Sequence, residues 1–260
     1  MARHDINGKV VGYSIMGEGE PVLCFHGTTQ SANAWDQVIG ATDAKRTWVV
    51  FEFPGSGESS MPTSPIELND VVDDATALMN HLGFSQFHVI GYSLGAVAAL
   101  YTAARHPSQV LTVTSLCGWA TSDARMRATF DLWRRLIAIS PELFMRYALV
   151  DGYTAAALEM IEPMIEQVIP VAATTVQPGS DAHLELDTRI DIAGVLGDIT
   201  APCLVMGGIE DRWVDISHSR QIAQHVRGAE LVELPAGHLV ITELAAQIAE
   251  HIVRHTSQKA

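Results

Sequence analysis

Cysteine is scarce, with three in 260 residues, and Cys24, Cys117 and Cys203 each fall within an apolar, strand-like run. Such placement reads as small buried thiols and offers no disulfide framework. No Cys-x-x-Cys or His-Glu-x-x-His spacing occurs, so neither a metal nor any other cofactor is expected. Positive charge is also short. Lys plus Arg number 16 against 30 Asp plus Glu, for a formal net charge of -14, which repels a phosphate backbone and argues against nucleic acid as a partner. Residues 1–12 carry charges and no apolar leader core, and nowhere do 18 apolar residues run unbroken. A membrane span is therefore not expected, and the chain reads as cytoplasmic.

What is present is the composition of an ordinary globular protein, 48% apolar and 18% charged, long enough for one large domain or two small ones. The acidic surface is compatible with a monomer or a homodimer. Short apolar runs at residues 22–25, 48–53, 87–90, 110–116, 203–206 and 230–234 read as strands, and residues 9–16 read as an edge strand. Helical spacing of apolar residues fills most intervals, for example residues 66–82 and 94–105. This alternation specifies an α/β fold, a doubly wound and mostly parallel sheet with helices on both faces. It stops between residues 120 and 186, where helical stretches follow one another without a strand. That stretch is expected to be an inserted helical cap on a core made of residues 1–119 and 187–260.

The most informative stretch is Gly91-Tyr92-Ser93-Leu94-Gly95, with an apolar strand before it and an alanine-rich helix after it. It fits the G-x-S-x-G turn that lifts a serine hydroxyl above a sheet, where the glycines are required because a side chain would strike the adjoining strand or helix. The Leu94 N–H at the start of the helix is a donor for a negatively charged oxygen forming beside Ser93. A serine hydroxyl needs a base, and the base an orienting carboxylate. Ligand crevices of such sheets lie at the carboxyl ends of the strands, and Asp211 and His238 follow the runs at 203–206 and 230–234. Glu210 and Asp215 compete with Asp211, and the spacing from Gly208 favours Asp211. Among the 11 histidines, His26 is the nearest rival to His238 but reads as a structural hydrogen-bonding residue, and His183 reads as a surface residue of the cap. Trp119 and the cap residues Met126, Phe130, Trp133 and Phe144 are candidates to line a pocket, although the same spacing suits plain core.

The order Ser93, Asp211, His238 is that of α/β-hydrolases. From residue 9 onward the chain resembles the α/β-hydrolase fold superfamily, on His26-Gly27, Phe53-Pro54-Gly55-Ser56-Gly57, the Gly91 to Gly95 turn, residues 208–214 and Gly237-His238. The resemblance implies Ser93 as nucleophile, His238 as general base and then acid, Asp211 as orienter of the imidazole, and an oxyanion hole from the backbone N–H groups of Leu94 and Thr28. Relatives that place an aspartate at the turn, the haloalkane dehalogenases and epoxide hydrolases, are disfavoured by Ser93. Leu116-Cys117-Gly118-Trp119, Arg125, Phe130, Arg134-Arg135 and the small cap are similar to the subgroup of 3-oxoadipate enol-lactonases and aminoacrylate hydrolases, which act on small polar substrates. The expected function is a serine hydrolase cleaving a small ester, lactone or related acyl substrate through an acyl-enzyme. The alternatives are a cofactor-free haloperoxidase, a lyase or a cyclase using the same triad, or a small-molecule receptor.

Overall fold

Runs such as Val22-Leu23-Cys24-Phe25, every residue fully buried, need apolar cover on both sides, and the fold supplies it. The computed structural model describes residues 1–42 and 44–257. Its strands are β1 (Ala2–Ile6), β2 (Lys9–Met16), β3 (Glu20–Phe25), β4 (Arg46–Phe51), β5 (Phe87–Tyr92), β6 (Val110–Leu116), β7 (Cys203–Gly208) and β8 (Glu230–Leu234). They form one sheet in the order β1-β2-β4-β3-β5-β6-β7-β8. The pairs β1/β2 and β2/β4 are antiparallel, and the remaining neighbours are parallel.

Between the strands lie α1 (Asp36–Gly40), α2 (Leu68–His81) and α3 (Leu94–Arg105). The inserted helices are α4 (Ala124–Ile139), α5 (Pro141–Gly152), α6 (Ala155–Ile161), α7 (Ile165–Ala173) and α8 (Ser180–Arg189). The chain continues through α9 (Ile216–His225), α10 (Val240–Glu243) and α11 (Ala245–Thr256). Strand alternation sends Leu23, Val49 and Val89 into one core with Val72 of α2 and Val97 of α3. Val22, Val50 and Ile90 go into a second core with Val38 of α1 and Ile248 and Ile252 of α11. Each such side chain, fully buried, contributes about 1.5–3 kcal/mol. Among the described residues no helix is long and apolar enough to cross a membrane.

Two expectations are corrected. β2 is not the edge of the sheet, because β1 lies outside it, joined through Asn7 and Gly8 at φ 54 and 78. Ile6 pairs with Lys9 across that two-residue turn, as positive φ at both central positions favours. The second concerns the end of the insertion. α8 crosses positions 186 and 187, and the chain enters and leaves the inserted helices through a paired neck: Ser122 N–H donates to Ile190 O at 2.9 Å and Ile192 N–H to Ala120 O at 2.7 Å. Capping fixes where its helices begin, with the Asp123 carboxylate accepting from Met126 N–H and Ser140 Oγ from Leu143 N–H, ahead of Pro141 at the first helical position.

Candidate active site

Ser93 stands between β5 and α3 with φ 57 and ψ −121, a sparsely populated conformation for a non-glycine residue. The packing around it explains why the turn is sharp. A Cβ on Gly91 would lie 1.8 Å from Gly95 O, and one on Gly95 2.3 Å from Phe25 O, so helix α3 starts directly against the end of β3. Gly27, in the loop after β3, also packs against the turn: a Cβ on it would lie 3.3 Å from Ser93 Cβ.

Asp211, in the loop after β7, is almost fully buried. Its Oδ1 accepts from Trp213 N–H and Val214 N–H, both at 2.9 Å, which aims Oδ2 at the loop after β8. There Oδ2 lies 2.7 Å from His238 Nδ1. An ionised carboxylate can only accept, so Nδ1 carries the proton and Nε2 is left as the acceptor of the Ser93 hydroxyl, 3.0 Å away. The Tyr92 hydroxyl donates to His238 O at 2.9 Å, and Leu239 N–H donates to Gly152 O of α5 at 3.0 Å, so sheet and inserted helices both hold the backbone that carries His238. Cys117, at the end of β6 with φ 51, places its thiol within 4.8 Å of the liganding atoms of Asp211 and His238. Burial pushes that thiol well up, and it stays protonated beside the carboxylate.

Ser93 and His238 open onto a cavity of about 100 Å³ lined by Trp133, Phe144, Met145 and Ala148 of the inserted helices and by Thr28, Gln30 and Trp213 of the loops after the strands. Of the three residues expected to line it, Trp133 does. Trp119 and Phe130 do not: Trp119 is fully buried with its indole N–H on Ser122 Oγ at 2.9 Å, and Phe130 fills the layer between Trp119 and Trp133. Trp213 also lines it and was not among the residues expected there, although it stands two positions after Asp211; its ring lies 4.5 Å from that of Trp133 and 4.8 Å from the His238 ring. Among the described residues the cavity wall contains no Lys or Arg. Arg125 caps the Arg212 carbonyl, and Arg134 and Arg135 pair with Asp181 and Asp131 in exposed positions. A larger groove of about 320 Å³ lies elsewhere, between the β1–β2 hairpin and α2, beside Lys9, Asp70 and Asp74.

Residues 20–243 match the family described as alpha/beta hydrolase fold. The chain belongs to the alpha/beta hydrolase fold family. Among curated relatives, it is 27% identical over 247 residues to pyrrolizixenacetamide deacetylase of Xenorhabdus hominickii, covering 94% of this chain and 93% of that protein. It is 23% identical over 256 residues to 2-(acetamidomethylene)succinate hydrolase of Mesorhizobium japonicum, covering 95% and 91%. The crystal structure of the enol-lactonase from Burkholderia xenovorans LB400 has the same fold, at TM-score 0.87 and 22% identity over 99% of this chain and 100% of that one. With relatives of this kind, the chain is a hydrolase.

Two buried histidines brace the loop of the hydrolase that carries Thr28. His26 Nε2 accepts from Phe53 N–H at 3.2 Å, so its Nδ1–H donates to Gly27 O at 2.8 Å; this is the structural part expected of it. His183 was expected at the surface, but it is fully buried and donates from Nε2 to Pro54 O at 2.9 Å. Burial lowers His26 to about 3, helped by the nearby His183, and lowers His183 to about 4. Both folded values lie below the 6.5 of an unfolded histidine, so below pH 6.5 the unfolded chain binds more protons and stability falls as pH drops toward 4. We expect His183→Gln, which takes up no proton there, to reduce the slope of unfolding free energy against pH by about 1.4 kcal/mol per pH unit. Urea melts at several pH values between those limits measure it; an unchanged slope would mean that His183 is already charged in the folded protein.

Proposed function

We propose that the protein is a serine hydrolase acting through an acyl-enzyme on a small, neutral acyl substrate: an ester, lactone, amide or carbamate. The observation that carries this reading is the hydrogen-bond chain from Ser93 Oγ to His238 Nε2 at 3.0 Å and from His238 Nδ1 to Asp211 Oδ2 at 2.7 Å, opening onto a cavity. Ser93 Oγ attacks the acyl carbon while His238 Nε2 takes its proton, and the anionic oxygen meets the N–H groups of Leu94 and Thr28. The imidazolium, steadied by Asp211, then passes its proton to the leaving group. Water, deprotonated by His238, attacks the acyl-Ser93 ester, and the acid leaves as Ser93 regains its proton. The deacetylase and the acetamido-compound hydrolase among the relatives support acyl transfer to water as the class of reaction.

Neutrality is read from the cavity wall. A substrate carboxylate placed there would be desolvated among Trp133, Phe144 and Trp213 with no Lys or Arg among the described lining residues to meet it. The volume of about 100 Å³ suits a short acyl group. On p-nitrophenyl esters, kcat/KM for acetate is expected to exceed that for octanoate by about 100-fold, and that for the hemisuccinate by at least about 10-fold. Acid quench of the acetate reaction followed by mass spectrometry should find one acetyl group on the peptide containing Ser93. Equal rates on all three esters would refute the acyl preference, and an unlabelled Ser93 under turnover would refute the acyl-enzyme.

A further inference from the structure

Asp187 belongs to α8, within the inserted helices, yet its Oδ2 lies 2.8 Å from Thr28 Oγ1 in the loop beside Ser93. The residue is fully buried, and among the described residues its second oxygen, Oδ1, has no hydrogen-bond partner. Burial pushes this carboxyl well above the usual carboxylate range, and the Thr28 hydroxyl is the one group that opposes the shift. A fully buried carboxylate with one unpaired oxygen, and with no cation among the described residues within hydrogen-bond reach, is much costlier to bury than the neutral acid.

A neutral carboxyl has one proton to place. On Oδ1 it would be a buried donor facing nothing, whereas on Oδ2 it meets Thr28 Oγ1. Thr28 then accepts, and its own hydroxyl proton is free to donate elsewhere. Thr28 lines the cavity next to Ser93.

We propose that Asp187 is a positioning residue which, as a carboxylic acid, donates from Oδ2 to Thr28 Oγ1, fixing the oxyanion loop and turning the Thr28 hydroxyl proton toward the acyl substrate. Thr28 thus acts on the substrate through its side chain as well as its backbone. The inference rests on the hydrolase reading for the part assigned to Thr28. The surroundings hold both partners in place. Asp187 O accepts from Ser122 Oγ, which itself accepts from the Trp119 indole at 2.9 Å. On the loop side, Gln177 N–H donates to Thr29 O at 3.2 Å and Gly179 N–H to Gly55 O at 2.8 Å, so the end of the insertion grips Thr29 and Gly55 as well as Thr28.

The test compares Asp187→Ala, Asp187→Asn, Thr28→Val and the Thr28→Val/Asp187→Ala pair on p-nitrophenyl acetate, with an infrared spectrum of each at pH 7. Loss of the positioning bond is expected to lower kcat about 30-fold in Asp187→Ala with KM changed less than about two-fold. In Asp187→Asn the amide N–H replaces the acid as donor, and kcat should recover to within about three-fold of the wild-type value. The pair should be no worse than Thr28→Val alone, because both changes break one coupled unit. The wild-type spectrum should contain the carbonyl band of a protonated carboxyl that Asp187→Asn lacks. Asp187→Asn as damaging as Asp187→Ala, or no protonated-carboxyl band, overturns the proposal; if Asp187→Ala does not fold, the asparagine variant and the spectrum decide. Failure of the hydrolase reading is distinct: the wild-type protein would then release no nitrophenol, while the band would still decide whether Asp187 is the donor to Thr28.

Discussion

Ser93→Ala is expected to lower kcat for p-nitrophenyl acetate by about a million-fold, the loss typical of removing the nucleophile from a serine, histidine and aspartate unit. On the proposed acyl-enzyme route, the substitution removes the one atom that bonds to the acyl carbon. His238 keeps its contact with Asp211, and the N–H groups of Leu94 and Thr28 keep their directions, so what survives is the modest acceleration of a polarised, positioned ester over water. The decisive measurement is the nitrophenol burst: equal in amount to the enzyme in the wild-type protein and absent in the variant. A variant retaining more than about a hundredth of the wild-type rate would exclude an acyl-Ser93 intermediate. The lyase, cyclase, haloperoxidase and receptor readings would then return.

Gly95→Ala is expected to cost about 3 kcal/mol of stability and about 100-fold in kcat. Its new methyl would lie 2.3 Å from Phe25 O and 2.5 Å from His26 O, and these are backbone atoms that have no rotamer to turn aside. Either α3 moves away from β3, carrying Ser93 and Leu94, or the end of β3 moves and carries Thr28. On the proposed mechanism, both shifts would separate Ser93 Oγ from the N–H donors that meet the developing oxyanion. Gly197→Ala is the control, since nothing lies within 4 Å of the added methyl; it should leave the urea midpoint and kcat unchanged. If Gly95→Ala behaves like Gly197→Ala, the elbow is looser than its packing implies.

The Ser93 turn was legible in the sequence because its requirement is local and steric: one strand, one helix and two glycines where a Cβ would strike backbone. The positions of Asp211 and His238 followed from the rule that functional loops leave the carboxyl ends of parallel strands, and the structure brings their side chains to Ser93. β1 escaped notice because it buries little beyond Ile6 and so carries no apolar alternation; Asn7-Gly8 was the available signal. The burial of His183 is hidden in the sequence for a related reason. α8 turns Ser180, His183 and Asp187 inward along with Leu184 and Leu186, which hides the apolar stripe by which a buried face is recognised. The inserted helices were the hardest to read. Helical spacing identifies one face of α4 but not its depth in the stack, and Phe130 and Trp133 share that face while only Trp133 reaches the cavity.

The neck between residues 120–122 and 190–192 makes the inserted helices exchangeable in principle. Where a segment departs and returns at adjacent points, evolution or an engineer can replace it by another of different length without reopening the sheet. Substrate range could change in one recombination event while the Ser93 turn is inherited intact. The bonds from Gln177, Gly179 and Asp187 to the loops of the sheet restrict that freedom. A transplanted segment that lacked them would inherit the Ser93 turn but lose the partner of Thr28, so, on the role proposed for Asp187, new specificity would come with a slower enzyme until a substitute contact evolved.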